Sequence, residues 1–204
     1  MKKLLFSFII VIAYINLGFV KPVLKGQDTY KVSPSETNIV WFARQVGGGH
    51  SGTIQLSEGY ITMKGAKLVG GTFEFNMKSI IDSDLKDPNY NAKLTEHLKS
   101  DDFFGVEKFP TAKFVITESR KLNKNQFAVT GDLTIKGVTK SVSFPVFVSV
   151  ADNGNALAVV SPKFKLERTQ FGIKYNSDTY FPDIADKAIS NEFELEITQL
   201  VARK

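Results

Sequence analysis

Apolar and polar side chains alternate along most of this chain. Residues 142–150 are the clearest case, because every even-numbered position there is Val or Phe. A period of two places successive side chains on opposite faces of a strand, so we expect one face of this segment to be buried. The same alternation recurs in residues 72–77, 127–135 and 192–197. Several such strands separated by short turn signals predict an antiparallel, all-β protein.

Two segments depart from the period of two. After Asp87, Pro88 and Asn89, the apolar residues fall three to four apart, which predicts a short helix over about residues 90–99. The stretch from Gln170 to Lys187 shows no clear period and contains several aromatic residues, so we expect a long loop over about residues 170–187. Loops of that length in small domains commonly act as lids or binding loops.

The predicted strands must bury their apolar faces against one another. About eight of them, joined by tight turns, can stack as a sandwich or close into a barrel. Closure removes exposed strand edges, so we favour a single antiparallel barrel. A barrel of eight strands has room either for its own side chains or for one small ligand. Alternation by itself leaves both of these possibilities open.

The first 26 residues have the pattern of an export signal followed by a short lead. Two lysines after the initial Met precede an apolar run from Leu4 to Val20, which is typical of a secretory signal peptide. That run is also near the minimum length of a membrane span, so an uncleaved anchor is the alternative. In both cases we expect residues 27–204 to fold as one domain outside the cytoplasm, in the periplasm or otherwise exported.

The composition argues against several classes of function. The chain has no Cys and 2 His, so thiol chemistry and Cys-ligated metal sites are excluded, and we expect no metal site. The net charge of +5 comes largely from four lysines in the first 26 residues, which contain no acidic residue. The remaining residues are almost neutral, which is not typical of a protein that binds nucleic acid.

The sequence contains no recognisable set of a nucleophile, a base and an orienting group, and we expect no enzyme. The stretch Gly47–Gly52 matches G-x-G-x-x-G, but a strand pattern follows it instead of a helix, so we interpret it as a hairpin loop. We interpret acidic pairs such as Asp82 and Asp84 as caps of backbone N–H groups. Catalysis that involves His97 or Asp101 is a further hypothesis, without a supporting arrangement of groups.

Three stretches of sequence carry a resemblance to a known family. They are residues 97–111 (HLKSDDFFGVEKFPT), 131–140 (GDLTIKGVTK) and 168–173 (RTQFGI). In this order and spacing, the chain resembles the YceI-like family of bacterial envelope proteins over about residues 28–200. The resemblance implies a lipocalin-like barrel in the periplasm that binds a polyisoprenoid, such as an isoprenoid quinone or prenyl diphosphate. It also implies that two copies can pair as a homodimer, and it implies no general catalytic activity.

The candidate ligand contacts are apolar residues on the expected inner face of the barrel. Their alternative role is to fill a solid core. Arg168 is the candidate for an anionic or carbonyl head group, because its planar donor fork suits such acceptors, and an ordinary ion pair is its alternative role. The expected interior contacts are Trp41, Phe73, Phe75, Phe114, Phe127, Val129, Leu133, Phe144, Val146, Phe164 and Leu166, and the expected entrance contacts are Phe103, Phe104 and Phe171.

Two functions of different classes follow. In the first, the protein is a periplasmic carrier that holds a long apolar isoprenoid lipid, of the quinone or prenyl phosphate type, inside the barrel. Each buried isoprene unit contributes about 4 kcal/mol before the costs of ordering, so the tail should dominate affinity. In the second, a filled barrel without a lipid ligand is an envelope protein–protein interaction module, with residues 170–187 as its partner surface. Neither hypothesis requires a cofactor.

Overall fold

Ten β-strands form one antiparallel sheet in the computed structural model, which describes residues 26–204. The predicted export signal, with its apolar run at residues 4–20, lies outside the described residues. The strands are β1 (Asp28–Val32), β2 (Asn38–Gln45), β3 (Gly48–Lys64), β4 (Lys67–Asp82), β5 (Thr111–Lys121), β6 (Gln126–Ile135), β7 (Val138–Ala151), β8 (Ala156–Val160), β9 (Phe164–Glu167) and β10 (Ile189–Arg203).

Pairing between β8 and β10 closes the sheet into a barrel. The ring runs through β10, β2, β3, β4, β5, β6, β7 and β8, and then returns to β10. The prediction of a single antiparallel barrel of about eight strands is therefore confirmed. The two strands outside this ring are short: β1 pairs with β10 and β3, and β9 pairs with β10.

Two positions in the ring are each occupied by two consecutive strands. β1 has the same two neighbours as β2, and the 3₁₀ turn Pro34–Glu36 separates the two strands. β8 and β9 both pair with β10, and Pro162 lies between them. Proline has no N–H to donate to a neighbouring strand, so it favours a break in the ladder at each of these points.

Tight turns join several pairs of neighbouring strands. The glycine-rich stretch forms the β2–β3 hairpin, in which Gln45 pairs with Gly48 and the intervening Gly47 has a φ of 84°. The stretch lies in a hairpin as interpreted, but residues 48–52 belong to strand β3, so the loop itself is limited to Val46 and Gly47. In the β6–β7 turn, Lys136 and Gly137 have φ angles of 52° and 76°.

The helix α1 (Pro88–Lys99) packs against β4 and supplies one buried residue, Leu98. The Asp87 carboxylate accepts hydrogen bonds from the backbone N–H groups of Asn89 and Tyr90, at 2.8 and 3.2 Å. With Pro88 in the first turn, this cap starts the helix two residues before the predicted position. Across residues 26–204, no helix has both the length and the apolar character needed to cross a bilayer.

The segment predicted as a long loop contains two 3₁₀ turns, Arg168–Phe171 and Pro182–Lys187. Phe171 and Ile173 are 2% and 1% exposed, so the beginning of this segment packs into the core. Farther along it, Tyr180 and Phe181 are exposed. The segment is therefore anchored at its first part and exposed at its centre.

Candidate functional site

Two apolar cavities lie inside the barrel. The first has a volume of about 80 Å³, and every strand except β1 contributes to its wall. Its lining is entirely aliphatic and aromatic. The lining residues are Ile39, Leu56, Leu68, Phe73, Phe75, Phe114, Ile116, Val129, Leu133, Val142, Phe144, Val146, Val148, Val159, Phe164, Leu166, Leu195, Ile197 and Leu200.

The second cavity lies toward α1 and has a volume of about 130 Å³. Its wall is apolar except for Arg168 and Ser190. The other lining residues are Ile39, Trp41, Ala43, Ile54, Phe75, Met77, Ile80, Leu98, Phe103, Phe104, Ala112, Leu133, Ile135, Ile173, Ile189, Phe193 and Leu195.

The two cavities adjoin each other. Their shared wall consists of Ile39, Phe75, Leu133 and Leu195, which line both. A dry apolar cavity of roughly 150 Å³ can hold one benzene molecule, whereas sites for drug-sized ligands span roughly 300–1,000 Å³. Each cavity alone therefore suits a small apolar group. A long chain requires both cavities and a shift of the side chains between them.

Aromatic rings form a connected row beside the first cavity. The rings of Phe73 and Phe114 have centroids 6.3 Å apart, and those of Phe114 and Phe144 are 5.3 Å apart. Phe144 in turn stacks on Phe164, with a centroid distance of 4.0 Å. The row crosses from β4 through β5 and β7 to β9, and all four phenylalanines line the first cavity.

The three stretches that resemble the YceI-like family converge on the second cavity. The first contributes Leu98, Phe103 and Phe104, the second contributes Leu133 and Ile135, and the third contributes Arg168 and Ile173. A lysine also connects the first two stretches.

That lysine is Lys136, in the β6–β7 turn. Its Nζ donates hydrogen bonds to the carbonyl oxygens of Asp101 and Phe103, at 2.6 and 2.8 Å. The turn that carries Phe103 is thereby held against the end of β6. Residues distant in sequence are thus assembled at one end of the barrel.

Arg168 is buried, and its guanidinium is almost fully occupied by backbone carbonyls. Nε donates to Ser190 at 2.8 Å, one terminal nitrogen donates to Ile173 and Tyr175 at 3.0 and 2.9 Å, and the other donates to Ile189 at 2.8 Å.

Burial lowers the pKa of the Arg168 guanidinium, whereas the nearby charges of Glu167 and Asp178 raise it. Arg168 therefore joins the beginning of the long segment to the start of β10.

This placement constrains the predicted head-group role of Arg168. A guanidinium has five N–H donors, and four of them bind the carbonyls of the protein itself. Arg168 also lines the second cavity, and these four hydrogen bonds leave at most one N–H for a ligand. Every acceptor in this network is a backbone carbonyl, so the network is not the ordinary ion pair given above as the alternative role of Arg168. A direct contact with a head group stays a prediction.

The structure brings most of the predicted ligand contacts to the cavity walls. Phe127 and Phe171 are buried but line neither cavity, so their contact with a ligand also stays a prediction. Predicted residues at the first cavity are Phe73, Phe75, Phe114, Val129, Leu133, Phe144, Val146, Phe164 and Leu166. Predicted residues at the second cavity are Trp41, Phe75, Phe103, Phe104, Leu133 and Arg168.

Several aliphatic wall residues were absent from the predicted set. Leu195 and Ile197 of β10 line the first cavity, although the alternation over residues 192–197 already placed both on an apolar face. Ile39 of β2 and Met77 of β4 were also missed. The prediction emphasised aromatic residues, whereas the apolar periodicity alone would have identified the β10 residues.

A more polar surface depression lies on the far side of Phe103. His97 packs edge-on against Phe103 and Tyr175, with centroid distances of 5.0 and 4.7 Å, and its Nε2 is 3.0 Å from an oxygen of Asp102. Tyr175 and Asp102 both line the depression, which has a volume of about 430 Å³. Phe103 lines the second cavity, and its ring centroid is 5.3 Å from that of Tyr175, so the walls of the cavity and the depression are in contact here.

Comparison with known proteins identifies the family. The family model described as the YceI-like domain matches residues 30–199. The chain belongs to the YceI-like family. Among curated relatives, a UPF0312 protein of Shewanella denitrificans is 38% identical over 86 residues, which is 42% of this chain and 42% of the relative. Another, from Photorhabdus laumondii, is 50% identical over 52 residues, or 26% and 27% of the two chains. The chain thus matches these relatives over less than half of their length.

Solved structures share the YceI-like fold. BcnA of Burkholderia cenocepacia matches with a TM-score of 0.65 and 22% identity, over 83% of this chain and 98% of that one. A polyisoprenoid-binding domain of Saccharophagus degradans matches with a TM-score of 0.60 and 10% identity, over 85% of this chain and 97% of the other. At these identities the likeness establishes the barrel architecture.

Proposed function

We propose that this YceI-like protein is a carrier that holds one long isoprenoid chain inside its barrel. The observation that supports this most directly is the pair of adjoining apolar cavities that share Ile39, Phe75, Leu133 and Leu195. The structurally similar domain of Saccharophagus degradans is a polyisoprenoid-binding domain, which agrees with this proposal. The ligand is of the quinone or prenyl phosphate type, with its tail through both cavities.

The second cavity is the end where a head group fits. It contains the polar wall residues Arg168 and Ser190, whereas the wall of the first cavity is wholly apolar. Burying each isoprene unit stabilises the complex by about 4 kcal/mol before ordering costs, so a few units dominate the affinity. The remaining N–H of Arg168 orients the head group and contributes less than the tail does.

The carrier acts in the periplasm in this proposal. The support is the sequence of the N-terminus, where two lysines precede the apolar run from Leu4 to Val20. Fractionation of cells that express the full chain tests the location. The proposal expects the protein in the periplasmic fraction after osmotic shock, and recovery in the cytoplasmic fraction would contradict it.

A chain-length series tests whether one tail occupies both cavities. Isoprenoid alcohols of two, four and eight units would be titrated against the purified protein. Affinity should rise with length until both cavities are filled. Replacing Leu195 by Trp places a large ring at the shared wall, so L195W should bind the long alcohols at least tenfold more weakly and change binding of the shortest one little.

The matched control for this series is Glu194→Trp. Glu194 is the adjacent position of β10, and its side chain points to the opposite face because successive side chains of a strand alternate. E194W should therefore bind every alcohol as the wild type does. An equal loss of binding in both variants, or no dependence on chain length in the wild type, would contradict the proposal.

The interaction-module hypothesis is retained as the second candidate because of two exposed aromatic residues. Tyr180 and Phe181 are 44% and 49% exposed in the segment 170–187, and Tyr175 lies at the nearby depression. This hypothesis expects loss of a protein partner when Tyr180 and Phe181 are replaced by Ser, with isoprenoid binding absent in the wild type. The carrier proposal expects isoprenoid binding to survive the same double replacement.

A further inference from the structure

Three side chains with metal-binding groups meet at the end of β4. His50 lies near the start of β3, Asp82 is the last residue of β4, and Asp84 follows it. The Nδ1 atom of His50 is 3.0 Å from Oδ1 of Asp84 and 3.7 Å from Oδ2 of Asp82. One ligand atom from each residue lies within 4.8 Å of the others.

The second oxygen of Asp82 is an unexplained buried atom. The Asp82 side chain has no solvent exposure, and its Oδ2 has no hydrogen-bond partner. Burying a carboxylate oxygen without a hydrogen-bond partner costs free energy. Such an atom in a folded protein therefore indicates a place where a bound group can lie. The group toward which Oδ2 is directed is the imidazole of His50.

The other oxygens of the two carboxylates are already used, which fixes the orientation of both groups. Oδ1 of Asp82 accepts hydrogen bonds from the backbone N–H groups of Asp84 and Leu85, at 3.1 and 2.8 Å, and from the side-chain amide of Asn91, at 3.2 Å. Oδ2 of Asp84 accepts from the backbone N–H and the hydroxyl of Ser51, at 2.7 and 3.2 Å. The remaining oxygen of each carboxylate is therefore held toward His50, where Oδ1 of Asp84 already shares a hydrogen bond with Nδ1.

We propose that His50, Asp82 and Asp84 bind one divalent transition-metal ion, of which zinc is the representative. The ligands would be Nδ1 of His50, Oδ2 of Asp82 and Oδ1 of Asp84. Imidazole nitrogen favours zinc and its neighbours over magnesium or calcium, and carboxylates complete such sites.

The two separations from Nδ1 of His50 fit this ion. Zinc binds nitrogen and oxygen at about 2.0–2.2 Å, so two ligands of a tetrahedral ion are about 3.4 Å apart. The observed separations of 3.0 and 3.7 Å from Nδ1 lie on either side of that value. Three protein ligands leave a fourth position open for water or an anionic group. The His50 side chain is 27% exposed and that of Asp84 39% exposed, which provides a path to solvent.

The sequence predicted no metal site, because the chain has no Cys and 2 His and the acidic pair was interpreted as a set of backbone caps. His50 and Asp84 are 34 residues apart in the sequence. The capping interpretation is correct for Oδ1 of Asp82. Only the β3–β4 pairing, in which Gly52 lies opposite Asp82, brings the histidine next to the remaining oxygens.

Calorimetric titration of the metal-free full-length protein with zinc chloride tests the proposal. The expected result is one ion per chain, with magnesium chloride and calcium chloride much weaker. Asp82→Asn keeps Oδ1 as an acceptor for its three donors and replaces Oδ2 by an amide, so the fold should survive. Both D82N and His50→Gln should weaken zinc binding roughly tenfold or more. Loss of a residue that only holds a metal ligand in place can already weaken binding by this much.

The matched control is His97→Gln, because His97 also lies 3.0 Å from a carboxylate oxygen but, within residues 26–204, belongs to no group of three metal-binding side chains. Zinc binding should be unchanged in H97Q. A long-range ¹H–¹⁵N spectrum should show the Nδ1 resonance of His50 shift with zinc, and that of His97 stay in place. Equal zinc affinity in the wild type, D82N and H50Q would overturn the proposal, as would magnesium binding as tight as zinc binding.

Discussion

The aromatic rings of Phe144 on β7 and Phe164 on β9 are stacked, with their centroids 4.0 Å apart and their planes at 5°. Within residues 26–204, these two strands share no ladder, because β7 pairs with β6 and β8 while β9 pairs with β10. The stacked pair therefore covers a section of wall where no hydrogen-bonded ladder joins the neighbouring strands. Both rings also line the first cavity.

Removing one ring of this pair should ease exchange of the ligand. Phe164→Ala deletes the ring on the shorter strand, so we expect a loaded four-unit isoprenoid alcohol to leave at least several-fold faster. The lost packing should also reduce the free energy of unfolding by about 1–3 kcal/mol, below the roughly 3–5 kcal/mol of a fully buried Phe because Phe164 is only partly buried. Release into lipid vesicles measures the rate, and denaturant unfolding measures the stability.

Phe42→Ala is the control for this experiment. Phe42 lies on β2, and its ring is covered by the ammonium of Lys163 at 3.4 Å, away from both cavity linings. F42A should leave the release rate unchanged. An identical release rate in F164A and the wild type would show that the Phe144–Phe164 pair does not limit exchange.

Arg168 should act chiefly by holding the segment that precedes β10. Arg168→Lys cannot reproduce the four hydrogen bonds to Ser190, Ile173, Tyr175 and Ile189. Leaving buried carbonyls without donors should lower the free energy of unfolding by about 2–4 kcal/mol. Hydrogen exchange should become faster across residues 172–189. Unchanged hydrogen exchange, together with a large loss of affinity for charged prenyl phosphates, would instead indicate that Arg168 acts mainly by contacting the head group.

Gly131 should be intolerant of any side chain. A Cβ there would lie 2.5 Å from the Phe114 ring and 2.5 Å from the carbonyl oxygen of Val115. We expect Gly131→Ala to lower the free energy of unfolding by about 1–3 kcal/mol, because the Phe114 ring must move. Gly70→Ala is the comparison, since the nearest atom to a Cβ there is 3.9 Å away. Equal stability of the two variants in a urea titration would contradict this explanation.

The carboxyl group of Glu36 should titrate far below its ordinary range. Its pKa is lowered to about 2, chiefly by hydrogen bonds from the guanidinium of Arg203, with a smaller contribution from the Ser33 side chain. The pair stabilises the fold above about pH 4.5, and this contribution is lost as the pH falls toward about 2. Because both side chains are exposed, the effect on stability is small and weakens with salt.

An NMR titration of the glutamate carboxyl carbons measures this pKa directly. In the wild type, Glu36 should titrate with a midpoint near 2. In Arg203→Gln, the midpoint should return toward the ordinary value of 4.5. A midpoint near 4.5 in the wild type would mean that the pair is not formed in solution.

The sequence predicted the barrel because alternation is a local property with a direct structural meaning. Phe144, Val146 and Val148 are buried as the pattern of β7 indicates, whereas Val150, at the β7–β8 hairpin, is 61% exposed. The sequence did not predict that β1 and β2 share one position in the ring, or that β8 and β9 share another. This sharing depends on which neighbours β1 and β9 find, and alternation contains no information on pairing partners.

The cavity contacts were predicted in part for the same reason. Val129 and Leu133 share a face of β6 with Phe127, and both line the first cavity. Phe127 lies at the β5–β6 hairpin end, opposite Lys121, and so packs away from the cavity. Periodicity predicts the face of the strand on which a residue lies, but not its position along the barrel axis. The proximity of His50 to Asp82 was not predicted because it depends on the β3–β4 register.

The central claim is that the two cavities together hold one isoprenoid chain, and native mass spectrometry tests it most directly. The protein would be purified from the cells that express it naturally, and its gentle native spectrum compared with an organic extract of the same sample. We expect one isoprenoid per chain in the wild type and in E194W, and little or none in L195W. A wild-type protein that carries no lipid, and that also fails to bind added quinones and prenyl phosphates, would contradict the claim.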